Sequence, residues 1–137
     1  MNPDELLQKF YAGIKAADAK SLATCVHVDF ELNWQGTEAI PWAGVWKGVN
    51  GLLAFFQKLN EYVEVLQVDR LHTVSSGDAT FVLLKGSWRL RRNRHELSAL
   101  AANVFTFQAG LIASYTVLNN TAAFAEGLYI TPVMKYD

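Results

Sequence analysis

The run from residue 63 to residue 120 leaves this chain little freedom of topology. "VEVLQVDRLHTVSS" and "ATFVLLKGSWRLRR" read as strands, and only Gly77-Asp78 separates them. "NRHE" then turns the chain into "LSALAANVFTFQ", and Ala109-Gly110 turns it into "LIASYTVLNN". A parallel neighbour needs a crossover of about a dozen residues. Connections this short predict an antiparallel meander.

Helical patterns precede the meander. In "NPDELLQKFYAGIKAAD", Asn2 can cap, Pro3 suits the first turn, and Asp4 and Glu5 complement the N-terminal dipole. Leu6, Leu7, Phe10, Tyr11 and Ile14 form its apolar stripe. Asp18 caps a second helix, "AKSLATCV", which buries Cys25 and Val26 and ends at His27. "DFELNWQ" alternates Phe30, Leu32 and Trp34 against Glu31, Asn33 and Gln35, the pattern of a half-buried strand. "GTEAIPWAGVWKG" reads as a loop, and "VNGLLAFFQKLNEY" as a third helix with a wide apolar face. Gly51 costs that helix about 1 kcal/mol against alanine, a cost that close packing on a neighbour would explain. A last helix, "TAAFAEGL", follows the meander, and residues 128–137 make a tail. The expectation is one α+β domain over residues 1–137, a strongly curved, mostly antiparallel sheet wrapped around the N-terminal helices. "PWAGVWKGVNGLLAFF" closes that cone, with Trp42 and Trp46 as rigid walls and Gly44 and Gly48 as tight turns.

Composition removes several function classes. The net charge of −1 offers no global field for nucleic acid or an anionic membrane. The single cysteine, Cys25, allows no intrachain disulfide and reads as buried core. "MNPDELLQKF" lacks a signal-peptide pattern, and no apolar run approaches the roughly 18 residues of a membrane span. A cytoplasmic protein is expected.

The segments "LLQKFYAGIKAADAKSLA", "PWAGVWKGVNGLLAFF", "NVFTFQAGLI" and "YTVLNNTAA", in this order and spacing, resemble the SnoaL-like branch of the nuclear transport factor 2-like superfamily, which includes ketosteroid isomerase. The resemblance covers roughly residues 5–126. It implies a cone-shaped α+β barrel, a homodimer packed through the outer sheet face, and an apolar pocket whose chemistry, if any, is acid–base with no metal or cofactor. The functional positions carry other residues here. The ketosteroid isomerase tyrosine on the first helix aligns with Phe10, its general-base aspartate with the neighbourhood of Trp34, and its protonated aspartate with Asn103. The Arg-x-Asp of limonene epoxide hydrolases reads Ala101-Ala102-Asn103, and the aspartate before "TAA" is Asn120.

The candidate bases are Glu31 and His72. Glu31 alternates out of phase with the aromatic face of its strand. His72 alternates with Val68 and Arg70, which leaves its face open. The three histidines match no zinc spacing, so no metal is expected. "RLRRNR" reads as a solvated hairpin turn with Asn93 in the left-handed position. Asn103 shares a strand face with Ala99, Ala101, Phe105 and Phe107, and an unpaired amide there costs about 1–3 kcal/mol. It either bonds Tyr115 or backbone, or meets a ligand. Trp34 and Trp88 divide between core and pocket. The ligand-binding set is therefore Tyr11, Trp34, Trp42, Trp46, Trp88, Asn103, Phe105, Tyr115 and Asn120, for a small apolar or aromatic molecule. The alternative is an isomerase, cyclase or lyase with His72 or Glu31 as base and the enol oxygen held by Asn103 and Tyr115.

Overall fold

A computed structural model describes residues 1–129. Helix α1 (Pro3–Ala16) starts where the Asn2 side chain accepts the Glu5 N–H at 2.8 Å. It ends where Ala17 enters the left-handed region at φ 52°. Helix α2 (Ala19–Ala23) is capped by Asp18 but is shorter than its pattern suggested. Val26 and His27 belong to β1 (Val26–Trp34), so His27 is a strand residue and not a helix end. The cause is tertiary: Ile112 donates to the Cys25 carbonyl, and Val26 pairs with Ile112 on β6.

Sequence reasoning missed one strand. Within the apparent loop, β2 (Gly44–Lys47) pairs antiparallel with β1, Trp46 opposite Leu32. Four residues that start on Gly44 (φ 109°) and stop before Gly48 (φ 69°) carry too little alternation to be read as a strand. Helix α3 (Gly48–Tyr62) follows, and a Cβ on Gly51 would lie 3.0 Å from the Trp46 carbonyl carbon. That contact accounts for the glycine.

The meander is β3 (Val63–Ser76), β4 (Ala79–Leu90), β5 (Glu96–Gln108) and β6 (Leu111–Leu118), followed by α4 (Thr121–Leu128). The sheet order is β2-β1-β6-β5-β4-β3, with β1 and β6 parallel and the other neighbours antiparallel. The curved sheet encloses a core that joins α1 to the strands: Phe10 packs on Phe30, Phe105 and Tyr115, with ring centroids 5.5–6.1 Å apart. Burying such side chains contributes about 1.5–3 kcal/mol each.

The turn between β4 and β5 is a docking piece. Arg94, not Asn93, holds the left-handed position, at φ 61°. Asn93 Nδ2 donates to the Gly127 carbonyl at 2.7 Å, and Arg92 reaches the Leu128 carbonyl at 3.3 Å, so the turn caps the C-terminus of α4. His95, which follows Arg94, is half-buried against Gly127. Arg89 pairs with Glu64 and Glu96, and Arg91 with Asn60. The tail from residue 130 onward lies outside the described residues.

Candidate functional site

Inside the curve of the sheet lies a cavity of about 370 Å3, bounded by α1, α3 and strands β1 and β3 to β6. That is within the usual range of small-molecule sites, about 300–1,000 Å3. Its walls are mainly apolar. Trp34, Phe55, Phe56 and Trp88 supply the aromatic surface, with aliphatic side chains between them.

Strand phase decides who enters. On β5, Ala101, Asn103 and Phe105 are buried, as alternation predicts. On β4 the inward set is Val82, Leu84, Gly86, Trp88 and Leu90, and the Trp88 indole folds back over Gly86. A Cβ on Gly86 would sit 2.3 Å from Trp88 Cη2, so glycine is what lets the indole lie there.

On β3 simple alternation fails, because register shifts fall between Val65 and Gln67 and between Arg70 and His72. Each bulge adds a residue and resets the phase. Val65, Val68 and Arg70 therefore all line the cavity, opposite Trp88, Gly86 and Leu84. His72 pairs with Leu83 on the outer face and is exposed. Sequence reasoning missed Arg70 as a pocket residue because the bulges leave no clear mark in composition.

The polar groups are few. Asn103 Nδ2 donates to the Tyr11 hydroxyl at 3.1 Å, across from α1. This is neither the Tyr115 nor the backbone partner considered above. With its lone pair engaged, the Tyr11 hydroxyl keeps its own proton for another acceptor. Tyr115 stacks on Phe105 at 4.7 Å and lines the cavity, and no described residue bonds its hydroxyl. The Arg70 guanidinium lies over the Tyr11 ring, 5.2 Å from its centroid. Burial raises the Tyr11 pKa, opposed by the Asn103 hydrogen bond and the Arg70 charge. Burial also raises that of Tyr115, as does the nearby Tyr11. Both phenols are thus neutral donors at neutral pH.

The remaining candidates lie elsewhere. Trp42 is wholly buried against Trp34, Tyr62 and Phe124, and its indole N–H finds no partner among the described residues. Trp46 packs on Phe55 and donates to the Trp42 carbonyl at 3.1 Å. The pair thus forms core and closes the structure beside the cavity without lining it. Phe105 is core behind Tyr115. Asn120 is exposed and caps α4, accepting from the Ala123 N–H at 3.0 Å. Glu31 is exposed, 3.7 Å from Lys47 on β2. Among the described residues, neither a carboxylate nor a histidine lines the cavity, and no group of three His, Cys, Asp or Glu side chains could hold a metal.

The fold and cavity define a class of protein, and comparison with known proteins agrees. The profile of the SnoaL-like domain matches residues 7–115. This chain belongs to the SnoaL-like family. No curated protein matches it. It is similar to a solved NTF2-like protein from Burkholderia xenovorans LB400, at 23% identity over 90% of this chain and 92% of that one, TM-score 0.81. It is also similar to TerC, crystallised with polyporic acid, at 18% identity over 92% and 97% of the two chains, TM-score 0.74. A third is a protein from Mesorhizobium loti proposed to be a SnoaL-like polyketide cyclase, at 18% identity over 85% and 98%, TM-score 0.64. At such identities these likenesses establish the fold and nothing about chemistry. No helix among the described residues is long and apolar enough to cross a membrane.

Proposed function

We propose that this protein binds a small, largely apolar aromatic molecule in the cavity, without needing to transform it. The observation that carries the reading is the lining itself: aromatic and aliphatic walls, two neutral phenols, two amides, one arginine, and neither a carboxylate nor a histidine among the described residues. Proton abstraction next to a carbonyl needs a base within reach. Both sequence candidates for that role, His72 and Glu31, sit outside the cavity. A relative of the same fold, TerC, was crystallised with polyporic acid, which is consistent with a ligand of this kind.

The isomerase, cyclase or lyase reading keeps one supporting feature. The Tyr11 and Tyr115 hydroxyls face one space, as donors to a developing enolate would. It requires a substrate acidic enough to lose its proton without a protein base.

Titration with a panel of small aromatic and terpenoid compounds, followed by tryptophan emission and melting temperature, tests the proposal. Saturable quenching is expected, because Trp34 and Trp88 line the cavity. It should survive Trp46→Phe and shrink in Trp88→Phe. If no compound changes emission or melting, and a crystal structure shows side chains filling the cavity, the binding reading fails.

A further inference from the structure

Among the described residues the cavity is lined by one charged side chain, and no carboxylate there balances it. Arg70 lines the cavity at its solvent-exposed side and forms no ion pair with any carboxylate among the described residues. Its sequence neighbour Asp69 belongs to the opposite face of β3, paired with Lys85, and accepts from Gln67 Nε2 at 2.7 Å. Among the described residues, the partner of the guanidinium is the face of the Tyr11 ring. A cation–π contact uses none of the guanidinium N–H groups as hydrogen-bond donors to oxygen, so they stay available to grip a carboxylate with two parallel hydrogen bonds. The Tyr11 hydroxyl has a proton to give beside it, and the Tyr115 hydroxyl has no protein partner among the described residues.

The positioning is specific. Without the bulge between Val65 and Gln67, alternation from Val63 would send Arg70 outward, as residue 70 is out of phase with residues 63 and 65. The insertion that turns Val68 inward also brings Arg70 to the cavity. A neutral apolar ligand would cover part of this cation and return nothing. An anion would neutralise it; because Arg70 is solvent-exposed, screening limits what the charge alone adds, and the two-pronged geometry of the guanidinium supplies the selectivity.

From this, and resting on the binding reading above, we infer that the ligand is an oxyanion carried on a planar aromatic framework. Its acid group is held by Arg70 with the tyrosine hydroxyls, and its rings lie between Trp34, Trp88 and the phenylalanines of α3. The class comprises aromatic carboxylates and comparably acidic phenols or enols.

The test is isothermal titration calorimetry at neutral pH with matched pairs: 2-naphthoate against 2-naphthamide, and anthracene-2-carboxylate against its amide. Each pair shares its shape and differs in charge. The wild-type protein should bind the acids about tenfold or more tighter than the amides, as expected of a charge-assisted bidentate contact. Arg70→Gln should erase the preference, and Arg70→Lys, which keeps the charge but not the fork, should retain part of it. Melting curves of both variants verify folding, and the wild-type comparison stands if either fails. If acid and amide bind alike in the wild type, or the preference survives Arg70→Gln, the anion inference is overturned while the binding reading stands. If none of the four compounds binds at millimolar concentration, planar aromatics do not enter the cavity and both fall.

Discussion

Asn103 on β5 and Tyr11 on α1, 92 positions apart in sequence, are joined by a 3.1 Å hydrogen bond at the wall of the cavity. The bond explains an amide on an otherwise apolar strand face. It ties helix to sheet and leaves the Tyr11 proton directed elsewhere.

Replacing that amide with an acid is expected to destabilise the protein in a pH-dependent way. In Asn103→Asp the carboxyl is buried, so its folded pKa lies above its unfolded value and the native state binds more protons at intermediate pH. Stability then falls as pH rises through that window. The variant should lose about 1–3 kcal/mol at pH 8 and recover part of it near pH 5. The Tyr11 hydroxyl and the Arg70 charge place the loss toward the lower end. Thermal melts at the two pH values decide it; a wild-type melt at both would mean that residue 103 is not buried. Asn103→Leu should keep most of the stability and weaken the binding of polar aromatic ligands.

The two cavity tyrosines predict an alkaline limit. Their pKa values are raised in the folded state, mainly by burial, so the stabilisation is complete below the unfolded tyrosine value of about 10 and is lost as pH rises above it. Melting temperature should drop more steeply above pH 10 in the wild type than in Tyr115→Phe. Tyrosinate absorbance should show Tyr11 and Tyr115, among five tyrosines, resisting ionisation until the protein unfolds.

Gly86→Ala tests the inner face of β4. The new methyl would need the space taken by the Trp88 ring, at 2.3 Å, so the indole must swing off its seat into the cavity. A loss of about 1–3 kcal/mol is expected. Near-UV circular dichroism should change, and aromatic ligands should bind more weakly. An unchanged spectrum would show that Trp88 does not lie on Gly86.

We expect the outer face of the sheet to pair with a second copy. Phe81 and Leu100 are 47% and 60% exposed there, beside exposed Val74 and Leu118. Large apolar side chains gathered on one sheet face mark an interaction surface when they form a contiguous patch. Light scattering coupled to gel filtration should give about twice the 15.3 kDa of one chain, and Leu100→Lys with Phe81→Glu should halve it. A clean mass near one chain for the wild type would refute the pairing.

Much of this protein could be read along the chain, because the signals are local. Asn2 and Pro3 start α1, Gly77-Asp78 and Ala109-Gly110 set the hairpins, and the period of two on β5 places Ala101, Asn103 and Phe105 inside. These depend on backbone geometry within a few residues, which side-chain chemistry specifies directly. Only the tertiary structure decided the rest. It recruited Val26 and His27 into β1 through β6, made a strand of residues 44–47 against β1, and buried Trp42 as core rather than pocket wall. It also separated Arg70 from His72, which alternation had grouped together, by the second of two bulges in β3 that follow from pairing with β4. Strand phase after a bulge depends on which partner residues take up the hydrogen bonds. That is a property of the assembled sheet, and no single stretch of sequence contains it.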